Sequence, residues 1–197
     1  MNITMFDWHL QSGDSVHSIM DLNPTYERLF EPFQIAPGVV LPAGEYRFTP
    51  VRFNFSSAQK RRIQGGFTLQ LGNFWSGTAK ALTTTLRYQL PPKFTISLST
   101  NQTFATLPQG NFVARIFSST IDYAVSPLLT FRNLIQYDNR SGNLGLQSRV
   151  RWTIAPGNDL FFIFGQGWIQ EFDERGGVDF RVRDTRLATK LQYTFRF

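Results

Sequence analysis

The chain has no cysteine in 197 residues. Disulfides, thiolate metal sites and cysteine nucleophiles are therefore excluded. Histidine is nearly absent too: His9 and His17 are the two present. Neither has ligand-type neighbours at metal-binding spacing, so a strand histidine and a loop histidine are expected, with no metal and no cofactor. There is no Gly-x-Ser-x-Gly elbow, no phosphate-binding glycine loop and no His-Glu-x-x-His helix, and no catalytic residue is assigned. No stretch reaches the roughly 20 apolar residues that a membrane helix needs, and mean hydropathy is −0.21. A helical membrane protein is excluded. A β-barrel is not, because barrel strands are apolar on one face only. The first ten residues lack a basic segment followed by an apolar core. A secreted or outer-membrane protein carries such a leader, so upstream sequence is expected to be missing.

What the chain does have is charge of mostly one sign and a period of two. The formal net charge is +6. Apart from Lys60-Arg61-Arg62, the bases stand singly along alternating segments and not in blocks, which argues against a nucleic-acid partner. About ten strands are expected from the alternation and the turn residues, near 2–10, 46–56, 62–72, 77–90, 93–105, 111–125, 127–138, 143–155, 159–169 and 182–197. In one strand Leu144, Leu146, Val150, Trp152 and Ile154 oppose Gly145, Gln147, Arg149, Arg151 and Thr153. In another Leu129, Phe131, Ile135 and Tyr137 oppose Thr130, Arg132 and Gln136. Leu160–Trp168 is apolar on both parities, so its facing stays open. Pro50 interrupts 46–56, where a bulge is expected.

The final segment alternates most strictly. Leu187, Leu191, Tyr193, Phe195 and Phe197 share one parity; Arg186, Lys190, Gln192, Thr194 and Arg196 share the other. Several segments sustain the pattern for more residues than the usual five or six of a soluble strand. With the last strand ending in the periplasm, the tight turns at 155–158, 126–127, 90–93 and 56–60 fall on one side. The longer connections 170–181, 138–143, 107–110, 72–76 and 11–45 fall on the other, as in outer-membrane barrels. Segment 11–45 is expected to be a long extracellular loop, packed through Phe30, Phe33, Ile35, Val39, Val40 and Leu41, with one short helical turn around 24–30 capped by Asn23.

Three stretches carry a family resemblance: Val40-Leu41-Pro42-Ala43-Gly44-Glu45-Tyr46, then Gln136-Tyr137-Asp138-Asn139, then Arg149-Val150-Arg151-Trp152 with Pro156-Gly157-Asn158-Asp159-Leu160-Phe161. In their order and spacing they resemble the C-terminal β-barrel region of a bacterial outer-membrane family. Its members join an N-terminal carbohydrate-binding module of the family-nine type to a barrel of unassigned role. The resemblance spans about residues 30–197. It implies a cell-surface barrel and no catalytic centre, and the sugar-binding module has no counterpart here. The terminal strand with Leu191, Tyr193, Phe195 and Phe197 resembles the signal by which the outer-membrane barrel-assembly machinery recognises its substrates.

These readings combine into an all-β fold: an antiparallel up-and-down transmembrane β-barrel, or the C-terminal part of a larger one, over residues 1–197. The expected partners are the lipid bilayer, the assembly machinery and missing N-terminal strands or module, in the bacterial outer membrane. A charge facing lipid at mid-depth costs about 2–4 kcal/mol. In a barrel, Arg52, Arg87, Arg132, Arg149, Arg151, Arg186, Lys190 and Arg196 must then face inward, while acids are expected mostly in loops. Such a lumen favours anions, unless the arginines pair with acids from missing strands or inward-folding loops. Trp8, Trp75, Trp152, Trp168, Tyr88 and Tyr137 lie near strand ends, which suits interfacial aromatic belts. The alternatives are a soluble β-sandwich or lipocalin-like ligand binder and, less favoured, a barrel enzyme. Facing discriminates. A barrel exposes Leu146, Val150, Trp152, Leu187, Leu191, Tyr193 and Phe195, and turns Gln147, Arg149, Arg151, Arg186, Lys190 and Gln192 inward; a soluble fold buries the first set.

Overall fold

A computed structural model describes residues 3–10, 16–172 and 177–194. Among the described residues there are fifteen strands and no helix. In chain order they are β1 (Ile3–Leu10), β2 (Val16–Leu22), β3 (Thr25–Leu29), β4 (Phe33–Ala36), β5 (Val39–Leu41), β6 (Gly44–Phe48), β7 (Val51–Ser56) and β8 (Ile63–Phe74), then β9 (Gly77–Leu90), β10 (Phe94–Leu107), β11 (Gly110–Ser126), β12 (Leu129–Asp138), β13 (Asn143–Ala155), β14 (Asn158–Phe172) and β15 (Val178–Gln192). Eleven of them form one sheet in the order β1-β2-β7-β8-β9-β10-β11-β12-β13-β14-β15, which does not close on itself among the described residues. Every described pairing is antiparallel.

Three expectations need correction. Segment 11–45 is not one loop. Among its described residues it contributes β2 to the main sheet, between β1 and β7, and it also holds β3, β4, β5 and the start of β6, joined by short turns. The pattern Val16-His17-Ser18-Ile19-Met20-Asp21-Leu22 alternates poorly, and pairing along both edges makes it a strand nonetheless. The helical turn around 24–30 is β3, because Thr25–Leu29 finds a ladder partner in Gly44–Phe48. The strand at 46–56 is broken into β6 and β7 by Pro50, whose carbonyl accepts a hydrogen bond from the Asn23 amide at 3.1 Å. Phe195, Arg196 and Phe197 lie outside the described residues.

The chain divides into two compact units. The first comprises Met1–Leu86 and Thr100–Arg115. Here β3 pairs with β6 and, nested inside, β4 pairs with β5. The inner turn uses Pro37-Gly38, where Gly38 has φ 76°, a conformation open to glycine. The nested hairpins bury Ala36, Val39 and Leu41 against Leu107, with Phe74, Trp75 and Phe112 packed around them. Leu41 is 0% exposed. Ile35, Val39 and Leu41 thus pack as expected, whereas Phe30, Phe33 and Val40 are exposed.

The second unit comprises Arg87–Ser99 and Ile116–Phe197. Among its described residues Asp159 is the one buried residue, and no hydrophobic side chain is buried. Residues directly opposite in an antiparallel ladder share a face. Five successive rows therefore define one face of β12 to β15: Leu129-Trp152-Leu160-Leu191, Phe131-Val150-Phe162-Thr189, Asn133-Ser148-Phe164-Leu187, Ile135-Leu146-Gln166-Thr185 and Tyr137-Leu144-Trp168-Val182. The intervening rows define the other face: Thr130-Arg151-Phe161-Lys190, Arg132-Arg149-Ile163-Ala188, Leu134-Gln147-Gly165-Arg186 and Gln136-Gly145-Gly167-Asp184. The open facing of Leu160–Trp168 is resolved: its even residues join the greasy face, and its odd residues join the polar one. The greasy face is solvent-exposed at Leu187 (78%) and Leu191 (63%), and Tyr193, just past the end of β15, is exposed as well.

A candidate anion-binding site

Hairpin registers bring the strand bases together with carboxylates. In the second unit Asp122 of β11, Arg132 of β12 and Arg149 of β13 lie side by side on the polar face. Arg132 Nε donates to Asp122 Oδ1 at 2.5 Å. Two positions along β13, Arg151 donates through Nε and Nη2 to the two oxygens of Asp159, each at 3.1 Å. Thr153 Oγ1 donates to the same carboxylate at 2.5 Å. A fork-to-fork contact of this kind fixes the guanidinium plane as well as its charge.

Arg149 stands between these two clamped arginines and has no carboxylate within ion-pairing distance among the described residues. It lines a concavity of about 470 Å³ together with Lys93, Phe94, Arg132, Arg151 and Phe161. Lys93 comes from the β9–β10 turn, where its amide donates to the Leu90 carbonyl and its carbonyl accepts from the Ala124 amide. Phe94 and Phe161 give the lining its apolar surface; along the ladder Phe161 is opposite Arg151, and Ile163 is opposite Arg149.

The remaining expected bases divide. In the first unit Arg52 is held by Asp21 through three hydrogen bonds of 2.8 to 3.3 Å. Arg186 approaches Asp184 at 3.8 Å. Lys190 is opposite Phe161. Arg87 is exposed on β9. The arginines that pair do so with acids of neighbouring strands or of their own strand. The expectation that acids sit mostly in loops is accordingly corrected: Asp21, Asp138, Glu171 and Asp179 all belong to strands. His17, expected in a loop, is a β2 residue 3.0 Å from Asp7 of β1.

The aromatics also divide. Trp152 and Trp168 lie in the first and last rows of the greasy face, with Tyr137 in the Trp168 row and its ring 6.2 Å from Phe180. Trp8 and Tyr88 are exposed on β1 and β9. Trp75 is instead part of the packed hairpin cluster: its ring lies 5.1 Å from Tyr46 and 5.9 Å from Phe48. Its turn position, with φ 51°, turns the indole into that cluster and away from a strand face. Asp159 and Phe161, named from the sequence only within the resemblance, and Lys93 were given no site role there. Counting register back from the Pro156-Gly157 turn finds Asp159 opposite Thr153. Lys93 becomes part of the concavity only through strand neighbourhood.

No protein-family model, curated protein or solved structure matches the chain.

Proposed function

We propose that this chain is a bacterial outer-membrane β-barrel protein, or the C-terminal part of one, with a structural, surface or pore role and a basic interior that favours anions. One observation carries the reading. One face of the second unit is mostly Leu, Val, Ile, Phe, Tyr and Trp, interrupted by Asn133, Ser148, Gln166, Thr185 and Thr189, and among the described residues of the unit no hydrophobic side chain is buried. A soluble sheet of this size covers such a face with a second layer. Here lipid is the covering, and the opposite face, with its Arg–Asp pairs, lines the interior.

The dimensions agree with this reading. From Leu144 to Trp152 along β13 the greasy face runs about 27 Å, which at a barrel strand's tilt of roughly 40° would span about 21 Å of the roughly 25 Å apolar band of outer-membrane barrels. Strands β9 to β15 have 10 to 17 residues, at or beyond the 9–11 or so required to cross. The sheet's two edges, β1 and β15, must find partners, since unpaired ladder groups in hydrocarbon cost several kcal/mol each. Strands or a module N-terminal to this chain, as in the family it resembles, are the proposed completion where the chain does not close alone. Recognition by the barrel-assembly machinery through the terminal strand belongs to the same proposal.

Gel migration of chain refolded in detergent tests it. The unboiled sample should run differently from the boiled one, as closed barrels resist detergent unfolding. Identical migration, together with a monodisperse chain in detergent-free buffer, refutes the barrel.

A further inference from the structure

We propose that the concavity around Arg149 is a binding site for a small organic carboxylate, with Arg149 gripping the carboxylate and Phe161 with Phe94 supporting an apolar body. The inference deepens the reading of the polar face as an anion-favouring interior and rests on it.

Three observations converge. First, Arg149 is directly opposite Arg132, and Arg151 is two residues away on the same face, about 7 Å along the strand. Like charges directly opposite in a ladder are destabilising. Asp122 relieves Arg132 and Asp159 relieves Arg151, and nothing among the described residues does this for Arg149. The two flanking pairs fix their own guanidinium groups and leave the central one as the available donor fork. Second, Arg149 lines an existing concavity of about 470 Å³ together with Lys93, Arg132 and Arg151 and a single carboxylate, Asp122. The space suits a small ligand, and the excess of cations over carboxylates selects an anion. Third, the otherwise polar face turns apolar beside Arg149. Phe161 and Phe94 both line the space, and the cross-strand partner of Arg149 is Ile163. A site for a bare inorganic ion has no use for these rings. A planar carboxylate matches a guanidinium bidentately, and an attached ring or alkyl body covers the phenyl surface.

The test uses the full chain refolded in detergent and labelled with 15N at arginine. Benzoate, acetate, inorganic phosphate and benzyl alcohol are titrated separately at low salt while the arginine Nε–Hε signals are followed. Benzoate should saturate with a Kd of about 1–10 mM, an ordinary range for one such contact. Acetate and phosphate should bind more weakly, and benzyl alcohol should give no saturable shift. Arg149→Gln should weaken benzoate at least about tenfold, or 1.4 kcal/mol. Arg149→Lys, which keeps the charge but loses the fork, should fall between. Phe161→Ala should bring benzoate to the level of acetate, and Arg87→Gln should change nothing. Equal binding by wild type and Arg149→Gln, phosphate or acetate matching benzoate, or no saturation of wild type each overturns the proposal. Heat-modified migration is recorded for every variant. A wild type without it sinks the barrel reading, whereas Arg149-dependent saturation in that same sample still supports the site.

Discussion

Leu187 offers the sharpest separation between a lipid-facing and a water-facing sheet. It is 78% exposed and belongs, with Phe164, to the third of the five greasy rows, midway between the Trp152 and Trp168 rows. Leu191 is four residues along the same strand, in the Trp152 row. Introducing arginine on the lipid face costs about 2–4 kcal/mol at the midplane and about 0–1 near an interface. Leu187→Arg should therefore lower stability in phosphatidylcholine vesicles by about 2–4 kcal/mol, and Leu191→Arg by no more than about 1. In a soluble sheet both residues meet water already, and each substitution stays within about 0.5 kcal/mol. The assay is reversible urea unfolding in vesicles, followed by tryptophan emission. The gradient between the two positions matters more than either value, because shared effects on strand propensity cancel. Two arginine variants that both unfold with the wild type, or a larger loss at Leu191 than at Leu187, would refute lipid contact on this face.

Other perturbations address the parts around it. Asp21→Ala removes a residue that is 4% exposed and the three hydrogen bonds its carboxylate accepts from Arg52, and should cost about 1–3 kcal/mol in urea unfolding. The double variant with Arg52→Met should recover part of that, and strictly additive losses would show that the pair does not act as one unit. Leu41→Ala empties the fully buried centre of the nested hairpins; a loss of about 2–5 kcal/mol should appear as faster protease cleavage within 24–48 with the sheet's circular dichroism unchanged, and unaltered cleavage contradicts it. Gly77→Ala would set a Cβ 2.2 Å from the Thr106 carbonyl oxygen, a backbone atom that cannot step aside, so a cost of at least about 1–3 kcal/mol should lower the urea midpoint, whereas wild-type stability would mean that β9 and β10 approach less closely there.

The alternation of Leu144–Ile154 and Leu187–Tyr193 determined by itself that these segments are strands and which side chains share a face, because the period of two is local geometry. It also fixed β8 to β15 as successive hairpins, since turn residues such as Pro156-Gly157 lie between runs of matched length. The same local rules went wrong at Val16–Leu22 and Thr25–Leu29. Their alternation is faint, and they became strands because partners from elsewhere in the chain, Val51–Ser56 and Gly44–Phe48, complete their ladders. The arginines were legible as a set on the polar parity, but their electrostatic state was not. Whether a guanidinium is neutralised depends on which residue the neighbouring strand sets opposite or diagonal to it. Register decided that Arg132 and Arg151 each meet an aspartate and that Arg149 meets another arginine. Trp75 looked like any other strand-end aromatic until the nested hairpins supplied a surface for it to pack against. A sequence states the period of its own side chains; which groups stand across from them is a non-local quantity, and only the assembled sheet decides it.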